Sequence, residues 1–357
     1  MGIETIDRNF LLGTIDGHDY AFHDATANPI VLTGLPFFVV EGELCRLPQA
    51  AIPKMNQGVQ GLAWHTTGAM VRFRTNSPVI AVRAELRAVS DMNHMPRSGS
   101  SGFDIYLGQG TGKVFRKTAI PGPGQKEYAS NLFQVDTAEM REFTINFPLY
   151  NGVRKLEIGI DPECLIEPPT PFAIEKPILF YGSSITQGGC ASRPGNAYTH
   201  IIARRLDANL INYGFSGSAR GTVEMAELLG TIAMSVLVYD YDHNAPSLDH
   251  LQKTHAPFFR TFRTAQPDTP VVFVSRCDFD GDMVASRERR AVIRKTYDNA
   301  RAAGDTRVLF VDGEILFGES ERDACTVDGC HPNDLGFMRM ADGITPAVVE
   351  AVKMQRR

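Results

Sequence analysis

The chain has no Cys-x-x-Cys pair. Its six cysteines, Cys45, Cys164, Cys190, Cys277, Cys325 and Cys330, are scattered through 357 residues, which argues against a zinc site or a disulfide scaffold. No apolar run is long enough to span a bilayer. No basic run occurs beyond Arg287-Glu-Arg-Arg290, which reads as the solvated face of a helix. Lys+Arg 36 against Asp+Glu 41 leaves a net charge of −5. That balance argues against nucleic acid or an anionic membrane as the main partner. Residues 1–10 have neither the basic start nor the apolar core of a secretion signal. The cytoplasm is therefore the expected compartment, with a secreted or periplasmic location open for a chain whose leader has been removed. The single tryptophan, Trp64, reads as core rather than as a sugar platform. What remains is ordinary for a globular protein, 43% hydrophobic and 22% charged, and the length suggests two domains.

Residues 1–161 read as all-β. Val71-Arg-Phe-Arg-Thr75, the second half of 79–86, 103–107, 143–147 and 155–160 alternate apolar with polar residues over short runs separated by Gly, Pro, Asn and Ser. Period two is the mark of half-buried antiparallel strands, and many short strands of this kind point to a sandwich, jelly-roll-like domain. No helical period of useful length is visible there. Pro162, Pro168, Pro169, Pro171 and Pro177 then mark residues 162–176 as an extended connector, because proline fixes φ and cannot donate to a ladder.

From 177 onward, strand and helix alternate. Apolar runs at 178–181, 210–213, 235–239, 271–275 and 308–311 are each followed by a helical pattern, at 197–206, 223–229, 248–264, 287–303 and, for the last, 347–354 with Thr345 and Pro346 as cap and first turn. A shorter helix is expected at 333–340. Five such units imply a parallel sheet covered on both faces. Ligands of such folds sit outside the carboxyl ends of the strands. At those ends stand Gly182-Ser-Ser-Ile-Thr186, Gly214-Phe-Ser-Gly-Ser-Ala-Arg-Gly221, Asp240-Tyr-Asp-His-Asn244 and Arg276, with Asp328-Gly-Cys-His331-Pro332 in a later loop. This is the inventory that acyl transfer requires: a serine, a base to take its proton, an acid to orient the base, and donors for an oxyanion. Of nine histidines, His331 is the best candidate base, and Asp328 lies three residues before it. Residue chemistry alone does not choose between Ser183 and Ser184.

These blocks resemble an SGNH (GDSL-type) hydrolase. Gly182-Ser-Ser-Ile-Thr186 resembles the nucleophile block, usually Gly-Asp-Ser. Gly217 resembles the oxyanion-hole glycine of the second block, Asn244 the asparagine of the third, and Asp328-x-x-His331 the last. All four stand in the family's order over 177–357. Gly102-Phe-Asp-Ile-Tyr106 resembles the Gly-x-Asp-Leu-Tyr motif of the β-domain that precedes one bacterial branch of these esterases. The resemblance implies a three-layer α/β/α domain of flavodoxin-like order, preceded by the β-sandwich. It implies Ser184 as nucleophile, His331 and Asp328 as its partners, and Ser184, Gly217 and Asn244 as oxyanion donors. No cofactor and no metal are implied. Two positions depart from the pattern: Ser183 stands for the usual aspartate and Asp242 for the usual glycine.

The resemblance points to carboxylic ester hydrolysis, with a small-molecule or carbohydrate ester as substrate and sugar O-deacetylation as the first specific expectation. An acyltransferase using the same site is the alternative, and a catalytically dead carbohydrate-binding protein a third reading. Arg276, Arg193 and His243 are candidates for the pocket rim, against a bland reading as salt-bridge or supporting residues. Asp240, Asp242 and His243 are too tightly spaced to offer a separated fourth metal ligand. Cys190 and Cys330 read as reduced, buried thiols.

Overall fold

Alternation in the first half of the chain becomes two antiparallel sheets. The computed structural model describes residues 11–15 and 17–355. In chain order the first half carries β1 (Leu11–Ile15), β2 (His18–Asp24), β3 (Val31–Thr33), α1 (Phe38–Glu41), α2 (Gln57–Leu62), β4 (Met70–Thr75), β5 (Val79–Leu86), α3 (Arg97–Ser100), β6 (Phe103–Leu107), β7 (Val114–Ala119), β8 (Glu127–Gln134), β9 (Arg141–Asn146) and β10 (Val153–Ile160). One sheet runs β1-β2-β10-β5-β8. The other runs β4-β9-β6-β7, with β3 also on β4. Every second side chain faces inward. Ile80, Val82, Ala84 and Leu86 of β5 meet Val71 and Phe73 of β4, Phe103 and Ile105 of β6, and Phe143 and Ile145 of β9 in one core.

A stretch of this half leaves the sandwich. Cys45, Leu47, Met55, Val59 and Ala63 pack into the core of the second half instead. The proline-rich connector is docked at both ends. β11 (Ile166–Glu167) pairs with β4, the Thr170 N–H donates to Glu142 at 3.0 Å, and β12 (Ile174–Gly182) starts before Pro177 by pairing Ile174 with Ala208. The ladder shifts register between Ile174 and Ile178, where Pro177 has no N–H to contribute.

The second half continues with α4 (Ser184–Gln187), α5 (Tyr198–Leu206), β13 (Ala208–Gly214), α6 (Val223–Gly230), β14 (Val236–Asp240), α7 (Leu248–Ala265), β15 (Val271–Val274), α8 (Met283–Ala302), β16 (Val308–Val311) and α9 (Asp334–Gln355). β12 to β16 form a parallel sheet in the order β13-β12-β14-β15-β16, the flavodoxin-like arrangement. Both faces are covered, so the strands read as unbroken apolar runs. Ile178 and Phe180 face α5 and α9, while Leu179 and Tyr181 face α6, α7 and α8. Among the described residues no helix is long and apolar enough to cross a membrane.

The end of the chain corrects one expectation. Instead of a helix at 333–340 and another at 347–354 started by Pro346, a single helix runs from Asp334 to Gln355 with Pro346 inside it. An interior proline costs about 3 kcal/mol. The buried stripe Phe337, Met340, Ala341, Ile344, Val348, Ala351 and Val352 continues across it without a phase change. At about 1.5–3 kcal/mol per large buried side chain, packing wins.

Candidate active site

The parallel register brings Gly182, Gly214 and Asp240 side by side at the carboxyl ends of β12, β13 and β14, where the sheet order reverses. Gly182 is there for want of space. A Cβ would stand 2.0 Å from Thr186 Oγ1 and 2.3 Å from the Asp240 carbonyl. The two serines that follow point apart. Ser183 is fully buried, and its hydroxyl accepts the Ile185 N–H at 3.2 Å as the cap of α4. Ser184 heads the helix, and its Oγ lies 2.9 Å from His331 Nε2. The structure thus places differently two hydroxyls that residue chemistry alone leaves equivalent.

His331 sits on the loop before α9. Asp328 Oδ1 accepts the N–H groups of Cys330 and His331 at 3.0 and 2.7 Å, and Oδ2 lies 2.7 Å from His331 Nδ1. Burial raises the Asp328 carboxyl, but the N–H groups of His331 and Cys330 together with the imidazole outweigh it and hold the group below its ordinary value. A carboxylate can only accept, so Nδ1 carries the proton and Nε2 offers its lone pair to the Ser184 hydroxyl. The loop is tied to the serine side by the Cys190 N–H, which donates to the Pro332 carbonyl at 3.0 Å.

The loop after β13 lies against the serine turn. The Phe215 N–H donates to the Gly182 carbonyl at 2.9 Å, and the Ser216 N–H to Gln187 Oε1 at 3.0 Å. Gly217 follows in the left-handed region with φ 67°, and nothing lies within 4 Å of where its Cβ would be. Asn244 Oδ1 accepts the Ala219 N–H at 3.2 Å, which turns Nδ2 away as a donor.

Supports emerge that sequence reasoning missed. Asp242, in place of the family's glycine, is buried and receives Arg289 Nε on Oδ1 at 2.7 Å and the Arg276 N–H on Oδ2 at 3.2 Å. Arg289 also donates to the carbonyls of Asp242 and Ala245. The departure is therefore answered by an arginine from α8 that braces the Asn244 turn. Asp240 is fully buried beneath the serine turn, accepting Tyr198 Oη at 2.8 Å and Thr186 Oγ1 at 3.3 Å. Burial pushes its carboxyl up to about 7, against the opposing pull of His243. Its strand-end position was the one signal available in the sequence. Arg46, from the first half of the chain, is entirely buried. It donates to the carbonyls of Asn212, Gly214 and Leu62 and lies over Phe215 at 4.3 Å. Tyr150 Oη donates to the Ser184 carbonyl at 3.0 Å. The His94 ring is 5.9 Å from that of His331, with no motif to announce it.

Each of the three rim candidates is engaged by a carboxylate. Arg193 donates to Asp104 at 2.9 Å and to the Tyr106 hydroxyl. Arg276 grips both oxygens of Asp278, at 2.8 and 2.5 Å. His243 Nε2 is 2.6 Å from Asp278 Oδ1; burial alone would lower this imidazole, but Asp278 raises it overall. His243, Asp278 and Cys330 bring three ligand-type atoms within 4.8 Å of one another. That donor set suits a cation poorly. The Arg276 guanidinium already engages both oxygens of the carboxylate. All six cysteines are free, Cys190 and Cys330 included.

Comparison with known proteins finds matches in both halves of the chain. Residues 175–349 match the GDSL-like lipase/acylhydrolase family. Residues 20–166 match the N-terminal region of SGNH-hydrolase-type esterases. Among curated proteins no sequence matches. Among solved structures, a Bacteroides ovatus protein described as a GDSL-like lipase is 29% identical, with a TM-score of 0.84 over 94% of this chain and 98% of its own. A salicylyl-acyltransferase from a tetracycline biosynthetic pathway is 18% identical, with a TM-score of 0.74 over 93% and 98%. A family two carbohydrate esterase from Cellvibrio japonicus is 13% identical, with a TM-score of 0.62 over 94% and 98%. The last two likenesses are of fold.

Proposed function

Because the chain belongs to the GDSL-like lipase/acylhydrolase family and is a serine hydrolase, we propose that it cleaves carboxylic esters through an acyl-enzyme on Ser184. The reading is carried by one observation: Ser184 Oγ is 2.9 Å from His331 Nε2, whose Nδ1 is 2.7 Å from Asp328. His331 takes the hydroxyl proton as Oγ bonds to the ester carbonyl carbon. Asp328 holds the imidazole in the reactive tautomer and stabilises its cation. The developing oxyanion is met by the N–H groups of Ser184 and Gly217 and by Asn244 Nδ2. The Ser184 N–H is an unpaired donor of the first turn of α4, and the open space beside Gly217 leaves room for the oxygen. Collapse expels the alcohol, which receives the proton from His331. Water then bonds to the acyl carbon as the same nitrogen takes its proton, and that proton passes to Ser184 Oγ as the acid departs.

For the substrate, we take acetylated carbohydrates as the first class to test. The architecture shared with the Cellvibrio japonicus carbohydrate esterase directs that choice. On this reading residues 177–357 carry the chemistry and residues 1–161, joined through 162–176, support it. The decisive experiment measures p-nitrophenyl acetate hydrolysis by wild type, Ser184→Ala and Ser183→Ala, with folding checked for each, followed by acetate release from acetylated sugars. Turnover should vanish in Ser184→Ala and persist in Ser183→Ala. Turnover surviving Ser184→Ala sinks the assignment.

A further inference from the structure

We propose that the Gly-x-Asp-x-Tyr stretch at 102–106 is a clamp, through which the β-sandwich sets the position of the His331 loop relative to Ser184. The inference rests on the roles proposed above for those two residues. Each lettered position of the stretch has a physical task. Gly102 lets two backbones approach: a Cβ there would stand 2.4 Å from the Ser98 carbonyl and 2.8 Å from that of Ala119. The Asp104 carboxylate is fully buried and reaches across to the loop between α4 and α5. Its Oδ2 accepts Arg193 Nη1 at 2.9 Å and the Gly195 N–H at 2.8 Å, while Oδ1 accepts Asn146 Nδ2 at 2.8 Å. The Tyr106 hydroxyl accepts from the same Arg193 nitrogen, and its ring presses on Gly195, where a Cβ would meet the hydroxyl at 2.2 Å. Arg193 is also stacked over Phe115 at 3.9 Å.

The clamped loop carries the contact onward. On its other side the Ser192 N–H donates to Asp334 Oδ1 at 2.8 Å and the Ser192 hydroxyl to Oδ2 at 2.5 Å. Asn196 Nδ2 donates to that same oxygen at 2.7 Å. Asp334 is three residues past His331, and Cys190 holds the carbonyl of Pro332. Hydrogen bonds and the short loop itself therefore link Asp104, through Arg193, Gly195, Ser192 and Asn196, to Asp334, three residues past the base. Apolar packing alone would join two layers as firmly; a buried, directional charge pair instead fixes their register. Arg193, which the sequence offered as a rim residue, is on this reading a positioning residue that need not touch substrate.

The test uses the full chain and p-nitrophenyl acetate, comparing Tyr106→Phe, Asp104→Asn, Arg193→Lys, Ser192→Ala and the double variant Asp104→Asn/Arg193→Lys, with Ser184→Ala as reference. Misplacing a base by a fraction of an ångström lowers turnover about tenfold or more while leaving substrate binding nearly unchanged. The expected result is a loss of kcat with KM within about twofold, in variants that melt above the assay temperature. The double variant should lose no more than the worse single one, because both act through one contact. If Asp104→Asn does not fold, Tyr106→Phe, which deletes one hydroxyl, decides by the same criterion. Folded variants that keep the wild-type kcat while Ser184→Ala is dead overturn the clamp alone. A rise in KM at constant kcat overturns it too and returns Arg193 to the substrate rim. Turnover surviving in Ser184→Ala overturns the site reading and the clamp with it.

Discussion

Asp240→Asn should gain stability relative to wild type as pH rises. The wild-type carboxyl is entirely buried among neutral donors, Tyr198 and Thr186, and its pKa is raised by burial from 3.8 to about 7. A raised pKa means that folding favours the protonated acid. Its stabilising contribution is complete below pH 3.8 and is lost as pH rises through about 7. Over that span of about three pH units, at 1.36 kcal/mol each, the loss is about 4 kcal/mol. About 3 kcal/mol of it falls between pH 5 and pH 8. Asparagine keeps an acceptor for both donors and does not titrate. Whatever its amide costs to bury is the same at both pH values and cancels in the comparison. Urea unfolding of wild type and variant at pH 5 and pH 8 is the assay. The stability gap should widen in favour of the variant by about 3 kcal/mol. Parallel pH dependences would refute the reasoning, and would mean that Asp240 is ionised in the fold with a counter-charge closer than His243.

Asn244→Ala should lower kcat for p-nitrophenyl acetate about 10²–10³-fold with little change in KM, as expected for an oxyanion donor; a loss under about tenfold would remove Asn244 from that role. Gly182→Ala drives a methyl into Thr186 Oγ1 and the Asp240 carbonyl. It should destabilise by about 1–3 kcal/mol or more in chemical unfolding and cut turnover as the serine turn shifts, whereas a variant as stable and active as wild type would show that the turn is slack.

Much of this protein is legible in its sequence because the signals are local. The strands at 79–86, 103–107 and 308–311 carry the bounds that alternation and apolar runs predict. The parallel sheet follows from alternating strands and helices with right-handed crossovers, whereas its flavodoxin-like order was implied by the family resemblance; the register then brings Gly182, Gly214 and Asp240 to one level. Where the pattern failed, a tertiary force outweighed a local one. Pro346 breaks a helix on propensity, yet the buried stripe of α9 runs through it. Residues 45–63 show no useful periodicity because only short helical turns form there, and Cys45, Leu47, Met55, Val59 and Ala63 pack against the second half.

By itself, then, the sequence determined the fold class and the residue types that gather at the sheet edge. Residue chemistry left Ser183 and Ser184 equivalent and only the family resemblance named Ser184; the tertiary structure supplies the physical difference, in which hydroxyl caps α4 and which faces His331, 147 residues away in the chain. Only the tertiary structure found the supports: Arg46 with a carbonyl 166 residues on, Arg289 with Asp242, and Arg193 with Asp104, 89 residues back. The physical reason is the same in each case. Periodicity records which face of an element is buried, and short motifs record which atoms must be close along the chain. A hydrogen bond between distant loops obeys neither rule, and exists only once the layers have packed and the groups left between them have had to find partners.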